Sequence, residues 1–202
     1  MNQRKFEAPP PTHKRRGLTV FDPDTLHQIA QLGVGKPTHE AMCQAVIDGL
    51  LREYPEWIRP QPWIFNMAGG AVGAMKVLHA SLSEYLLLFG SSIGTEGFSG
   101  RYRIGIHDFV LSGEMWTYTD DDMGTKVVTG PGERAYLSPE RCKGYRLPDG
   151  CWMLEYGRGP IPTALPFGLA DAALSMIDGE TIRKTLWYYG KLVVGNLLKG
   201  KI

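Results

Sequence analysis

The sequence of 202 residues contains few cysteines and no long apolar run. Its three cysteines show no CxxC spacing and are too few for a disulfide framework, so we expect a reducing compartment and no cysteine-based metal cluster. A membrane-crossing helix needs about 20 apolar residues. The apolar stretches 63–75 and 159–170 both end at a charged residue, Lys76 and Asp171. We therefore expect no transmembrane helix.

An excess of charge of one sign is also lacking. The 22 basic and 21 acidic residues give a net charge of +1, so no overall field would attract nucleic acid, and we expect no nucleic-acid partner. The sequence has no HExxH motif, no P-loop, no Ser-His-Asp order and no GxGxxG between a strand and a helix. We therefore predict neither a cofactor nor a metal ion.

Residues 1–18 differ in composition from the rest of the chain. They combine a proline run with a basic cluster, which predicts a mobile tail, and they lack the apolar segment of a signal peptide. Two interpretations stay open: a solvated leader, or contact with an anionic membrane surface, where each basic residue contributes roughly 1 kcal/mol. With 43% hydrophobic residues, residues 19–202 are predicted to form a single domain.

Two helices are predicted after this tail. Asp22 or Asp24 can cap the first, and the second begins at Thr38 and ends at Pro55. Residues 63–90 are apolar on all sides and are predicted to be buried.

His79 and Glu84 lie in a part of this apolar block that we interpret as helical. A lone histidine in such a block is more often a core residue than a catalytic base. Glu84 could equally cap backbone amides.

The pattern changes between Gly97 and Tyr156. Short β-compatible segments alternate with turn signals such as Gly-Pro-Gly and Pro-Asp-Gly, which predicts a compact all-β unit, a barrel or a sandwich. Beyond it, apolar stripes at helical spacing predict two amphipathic helices over residues 161–176 and 182–197. These helices either cap the β unit or lie in a membrane surface.

Two carboxyl groups stand out within apolar surroundings. Alternation from Tyr102 to Val110 places Asp108 on an apolar strand face, and Glu155 directly follows Cys-Trp-Met-Leu. Buried together, they would form a candidate acid/base pair in which one carboxylate keeps the other protonated. The alternative is that each acid accepts backbone amides or pairs with a buried arginine such as Arg158.

The sequence contains several long motifs: WIFNMAGGAVGAMKVLHASLSEYLLLFGSSIGTEGFSGRY, the GPGE turn, WMLEYGRGPIP and LPFGLAD. Together they resemble the family shared by fungal sterol C-8 isomerase and the sigma-1 receptor. The resemblance implies an α+β fold in which a cupin-like β-barrel has flanking N-terminal helices and a C-terminal amphipathic two-helix layer that faces a membrane. It also implies a homotrimer.

The resemblance further implies a set of site residues. Glu155 matches the central pocket glutamate, Asp108 a second acid that shares a proton with it, and Tyr85 the tyrosine that orients the glutamate. The positions that match the lining of the hydrophobic cavity are Met75, Phe89, Tyr102, Ile106, Ala164, Leu165 and Tyr189. Ala71 stands where the receptor has a tryptophan, which implies a roomier cavity.

The expected function is an alkene isomerase that acts on a sterol or a related polycyclic terpenoid by carboxylic-acid protonation and deprotonation. Two alternatives are a non-catalytic, receptor-like regulator that binds amphiphilic amines, and a specialised-metabolism isomerase or cyclase with the same proton chemistry. The resemblance implies an N-terminal transmembrane helix in the relatives, and we expect none in this sequence. We expect peripheral attachment to an endoplasmic reticulum or other cytoplasmic-side membrane through the C-terminal helices.

Overall fold

A computed structural model describes residues 19–202, so the tail predicted over residues 1–18 lies outside the described residues. The described part contains four α-helices and ten strands. The helices are α1 (Pro23–Gln31), α2 (His39–Glu53), α3 (Leu165–Ala170) and α4 (Gly179–Leu197). The strands are β1 (Ile64–Ala68), β2 (Ala71–Ala80), β3 (Glu84–Ser91), β4 (Thr95–Phe98), β5 (Gly105–Ser112), β6 (Met115–Thr119), β7 (Asp122–Thr129), β8 (Arg134–Leu137), β9 (Lys143–Leu147) and β10 (Cys151–Arg158).

The strands form two antiparallel sheets. The large sheet has the order β1-β2-β3-β10-β5-β8, and the small sheet has the order β4-β9-β6-β7. The α+β class with N-terminal and C-terminal helices is confirmed, but the expectation of a closed barrel is wrong. No strand ladder joins the two sheets within residues 19–202. Beside the edge strand β1 lies α3, and β4 meets the β1–β2 turn through single hydrogen bonds such as Phe98 N–H to Gly69 O, 2.8 Å.

The two N-terminal helices begin where their capping residues predict. Asp22 accepts a hydrogen bond from Thr25 N–H at 2.9 Å, and Thr38 accepts one from Ala41 N–H at 3.1 Å. Each cap satisfies a backbone N–H that has no partner inside its helix. Both predicted helix starts are confirmed, and both helices pack on one face of the large sheet.

Residues 63–90 form strands, so the helical interpretation around His79 and Glu84 is wrong. Strands β1, β2 and β3 pair in antiparallel register, and every residue of β3 is buried. A strand that is buried on both faces shows a continuous apolar run instead of alternation, which is why its period cannot be distinguished from that of a buried helix. The β region therefore begins at Ile64 and not near Gly97.

The large sheet separates two hydrophobic cores. On one face, Leu154 and Tyr156 of β10 pack with α1 and α2. On the other face, Met153 packs among residues of the small sheet such as Met115 and Leu147. Consecutive residues of β10 thus belong to different cores.

The C-terminal helices cover the second core. A 3-10 turn (Ile161–Ala164) leads into α3, and a π-helical turn (Asp171–Ser175) connects α3 to the segment before α4. Leu192 of α4 is buried in the second core, whereas Ile177 and Trp187 are exposed. The predicted C-terminal helices are confirmed, although the first consists of a 3-10 turn, α3 and a π-helical turn in place of one helix over residues 161–176. Among residues 19–202, no helix has both the length and the apolar character needed to cross a bilayer.

Candidate functional site

A cavity of about 380 Å³ lies between the two sheets and beneath the C-terminal helices. Its volume is within the range of about 300–1,000 Å³ that is usual for small-molecule sites, and its lining is mostly apolar. All ten candidate site residues from the sequence line it: Met75, Tyr85, Phe89, Tyr102, Ile106, Asp108, Glu155, Ala164, Leu165 and Tyr189.

Sheet register brings the two carboxyl groups together. Glu155 on β10 is paired directly with Asp108 on β5. Residues paired in this way project to the same face of the sheet, with their Cβ atoms about 4.5–5.5 Å apart. The sequence spacing of 47 positions could not establish this contact, whereas the antiparallel register does.

Tyr85 on β3 fixes one oxygen of Glu155. Its hydroxyl donates a hydrogen bond of 2.7 Å to Glu155 Oε1. Gly157 makes room for this contact, since it pairs with Tyr85 in the sheet and a Cβ at Gly157 would overlap the tyrosine ring. Because Tyr85 donates to Oε1, a proton on the glutamic acid resides on Oε2.

The surroundings of Glu155 favour its neutral form. Burial and, next, the charge of Asp108 raise its pKa from 4.5 to about 7, while the hydrogen bond from Tyr85 and the charge of Lys143 act in the opposite direction. Glu155 keeps some accessible surface because its carboxyl group faces the cavity. A substantial fraction of Glu155 is therefore protonated at neutral pH.

The sequence reasoning missed Lys143, which forms an ion pair with Asp108. Lys143 lies on β9 of the small sheet and is 8% exposed, while Asp108 is 2% exposed. The expectation of Arg158 as the partner of a buried acid is therefore wrong for Asp108. If Lys-Gly-Tyr-Arg-Leu is taken as a strand, Lys143 lies on the same face as the apolar Leu147. A buried carboxylate needs a nearby cation or hydrogen-bond donors, so a lysine on an apolar strand face is a candidate partner.

Three further phenol groups surround the acids. Burial, followed by the charge of Glu155, raises the pKa of Tyr102, Tyr145 and Tyr189, so all three remain neutral hydroxyls. Tyr102 precedes β5 in an irregular segment, and its hydroxyl donates to Ser99 O. The strand alternation predicted from Tyr102 onward is therefore wrong at its start. Tyr145 lines the cavity and was not predicted.

His79 and Glu84 are absent from the residues that line the cavity. Burial lowers the pKa of His79, whose Nδ1 lies 3.0 Å from a backbone carbonyl oxygen. Glu84 accepts hydrogen bonds from Val20 N–H and Tyr156 O–H and pairs with Lys201 at 3.0 Å. His79 is a core residue, as the simpler interpretation predicted, and Glu84 accepts a backbone amide, as its own simpler interpretation predicted.

Solved structures similar to this chain include an RmlC-like cupin from Shewanella frigidimarina and KdgF from Halomonas sp.. The first has a TM-score of 0.40 and 18% identity, and the match covers 52% of this chain and 87% of that one. The second has a TM-score of 0.41 and 13% identity, and the match covers 49% of this chain and 88% of that one.

Several proteins are similar to most of the chain. A C-8 sterol isomerase of Pyricularia oryzae is 37% identical over 189 residues, which are 90% of this chain and 84% of that protein. The C-8 sterol isomerase ERG2 of Gibberella zeae is 37% identical over 186 residues, 91% of this chain and 79% of that protein. An erg2 homolog of Dictyostelium discoideum is 37% identical over 179 residues. The model of the ERG2 and Sigma1 receptor like protein family matches residues 12–201, and the chain belongs to this family.

Proposed function

We propose that the protein is a cofactor-independent isomerase that shifts a C=C bond within a sterol or a related polycyclic terpenoid, as a C-8 sterol isomerase does. The pairing of Glu155 with Asp108 in an apolar cavity carries this proposal. The relatives named C-8 sterol isomerase support the substrate class.

In the proposed reaction, the neutral carboxyl group of Glu155 donates its Oε2 proton to a ring double bond. A new C–H bond forms at one alkene carbon, and the other becomes a carbocation. The negative charge of Asp108, now joined by that of Glu155, stabilises this cation electrostatically. Loss of a proton from the neighbouring carbon to a carboxylate of the site gives the shifted alkene, so that the site regains the proton that it donated.

The lining of the cavity suits this chemistry. A carbocation reacts with water, so the reaction needs a pocket from which water is excluded. A proton donor works best when its pKa lies near the working pH, and the pKa of Glu155 is raised to about 7. Apolar lining residues such as Phe89, Ile106 and Leu165 contribute no nucleophile.

The proposal includes a membrane surface and a homotrimer. Ile177 and Trp187 are exposed in the same C-terminal region from which Leu165 and Tyr189 line the cavity. An apolar outer surface with an aromatic side chain is typical of a helix in a bilayer interface. A lipid-soluble substrate would be dissolved in the same bilayer. The trimer and the endoplasmic reticulum membrane rest on the family resemblance.

The second candidate function is a receptor-like regulator that binds amphiphilic amines. An ammonium group resembles the cationic intermediate and could pair with the ionised form of Glu155. The hydrogen bond of 2.7 Å from Tyr85 would orient the carboxylate for such a pair.

Conversion of a Δ8-sterol to its Δ7 isomer by the purified protein tests the proposal. We expect turnover that Glu155→Gln reduces by about 10²–10⁴-fold, since a positioned acid contributes about that factor. In D₂O, the product should gain one deuterium at the carbon that is protonated. Glu53→Gln, at the exposed end of α2, is the matched control and should keep full activity. Tight amine binding without turnover of any sterol would favour the receptor function instead.

A further inference from the structure

The ion pair between Lys143 and Asp108 connects the two sheets inside the cavity. Lys143 extends from β9 of the small sheet, and Asp108 lies on β5 of the large sheet. The backbone around Lys143 is fixed, because its N–H donates to Ser99 Oγ at 2.9 Å and its carbonyl accepts Ser99 N–H at 3.0 Å. Met115 Sδ lies 3.9 Å from the ammonium nitrogen. The cation is therefore held in a fixed position at the acid pair.

Charge balance makes the two acids unequal. Among the described residues, Lys143 is the only cationic side chain that lines the cavity, and Asp108 and Glu155 are its only carboxyl groups. With Glu155 neutral, the three groups sum to zero charge. With Glu155 ionised, one buried negative charge lacks a counter-ion, which is costly in apolar surroundings. The acid that has no cation beside it is therefore the one to hold a proton.

We propose that Lys143 is a positioning residue that keeps Asp108 ionised, so that the transferable proton resides on Glu155 alone. The inference deepens the proposed isomerase function, on which its consequence for catalysis rests. It differs from a pair that shares its proton equally, because here the donor and the stabilising carboxylate are assigned by a third residue.

The other groups that face Glu155 do not supply this asymmetry. They are Tyr85 on β3, Tyr102 before β5, Tyr145 on β9 and Tyr189 on α4. Burial raises the pKa of each phenol, so all four are neutral and none provides a positive charge. The charged neighbours of Glu155 are Asp108, which raises its pKa, and Lys143, which lowers it.

Titration of the carboxyl groups tests the inference without any substrate. The C=O stretch of protonated carboxyl groups is followed by infrared difference spectroscopy in the wild type and in Lys143→Met, which keeps a long unbranched side chain and removes the charge. We expect one acid to titrate near pH 7 in the wild type and to disappear in Glu155→Gln. In Lys143→Met, a second protonated carboxyl group should appear, and Asp108→Asn in the same chain should remove it. Lys126→Met, on the exposed face of β7, is the matched control and should resemble the wild type.

A double-mutant cycle tests the direction in which the titration of Glu155 moves. Asp108→Asn alone removes a repelling charge, while the charge of Lys143 still lowers the pKa of Glu155, so the titration of Glu155 should move to lower pH. Addition of Lys143→Met should move it back to higher pH. With a Δ8-sterol, Lys143→Met should lose about 10²-fold or more in kcat, because a neutral Asp108 no longer stabilises the cation.

The two proposals can fail separately. A Lys143→Met spectrum identical to that of the wild type overturns the role of Lys143, whether or not a sterol is converted. Absence of sterol turnover in the wild type, together with the expected spectra, leaves the assignment of the proton intact and removes only the isomerase function.

Discussion

At the scale of single residues, the proposed function depends on which atoms carry one proton. Tyr85 donates to Oε1 of Glu155, and this hydrogen bond lowers the pKa of the glutamic acid. The same bond fixes the rotation of the carboxyl group and therefore the position of Oε2. A single hydroxyl thus controls both the acidity and the direction of the proposed donor.

Removal of this hydroxyl in Tyr85→Phe should raise the pKa of Glu155. The hydrogen bond to the ionised form is lost, and such bonds contribute about 1.5–3 kcal/mol. We expect the alkaline limb of the pH profile of kcat to move upward by about one pH unit or more. Tyr118→Phe, at an exposed position of β6, should leave the profile unchanged. A downward shift in Tyr85→Phe would contradict the assigned direction of the hydrogen bond.

The raised pKa of Glu155 also predicts how stability changes with pH. The folded chain holds this proton up to about pH 7, whereas the unfolded chain loses it near pH 4.5. The contribution of Glu155 to the free energy of unfolding is therefore fully present below pH 4.5 and is lost as the pH rises to about 7. We expect the free energy of unfolding to fall by about 1–3 kcal/mol. The lower part of this range is expected because the carboxyl group of Glu155 faces the cavity.

Urea unfolding of the wild type and Glu155→Gln across this pH range measures the difference. Other titrating groups contribute equally to both proteins and cancel in the comparison. The wild type should lose more stability than the variant as the pH rises. A wild type that gains stability relative to Glu155→Gln over the same range would show that Glu155 is ionised in the folded chain.

At the scale of elements, strand pairing determines how closely side chains can approach. Gly157 of β10 pairs with Tyr85 of β3, and the tyrosine ring occupies the space that a side chain at position 157 would need. The glycine is therefore part of the site although it carries no functional group.

Gly157→Ala should displace the ring of Tyr85 and weaken its bond to Glu155. We expect a destabilisation of about 1–3 kcal/mol from overpacking, together with a loss of isomerase activity. Gly195→Ala is the matched control, since a Cβ at this position of α4 meets nothing within 4 Å. It should stabilise the protein by about 0.4–1 kcal/mol, because alanine favours a helix. Equal effects of both substitutions in thermal unfolding would exclude the proposed steric role.

The elements differ in how well the sequence predicts them. The starts of helices α1 and α2 could be predicted from Asp22 and Thr38, because a helix cap depends only on residues close in sequence. Strand β3 could not be predicted in this way, because burial on both of its faces removes the alternation of a strand. Asp108 and Glu155 were singled out by their apolar surroundings, and the other eight candidate site residues by the resemblance to a family. Lys143 was missed because its role depends on Asp108 in the other sheet, and neither residue alone indicates that contact.

At the scale of the whole molecule, a second buried ion pair ties both ends of the described chain to the large sheet. Glu84 is fully buried and accepts hydrogen bonds from Val20 N–H and Tyr156 O–H, while Lys201 pairs with it at 3.0 Å. Asn196 of α4 donates to Ala80 O at 2.8 Å nearby. The C-terminal helix is thus anchored at the end that follows its cavity-lining residues.

Lys201→Met should leave a buried carboxylate without its cation. Loss of one partner of a buried pair costs about 3–5 kcal/mol, and we expect the lower end because Val20 and Tyr156 still donate to Glu84. Lys191→Met, at an exposed position of α4, is the control and should change the free energy of unfolding by less than about 0.5 kcal/mol. A Lys201→Met variant as stable as this control in urea would show that the ion pair between Lys201 and Glu84 does not stabilise the fold.

The alternation along β10 has a consequence for how this family can change over time. Glu155 and Tyr156 are neighbours in the chain, yet one faces the cavity and the other faces the core that anchors Val20. Loss or gain of one residue in β10 would exchange the two faces, placing a carboxyl group in the dry core and a tyrosine in the cavity. Substitutions that alter substrate choice can accumulate on one face of this strand without cost to the other. Changes of length cannot, so the strand's length is expected to stay constant even where its cavity-facing residues vary.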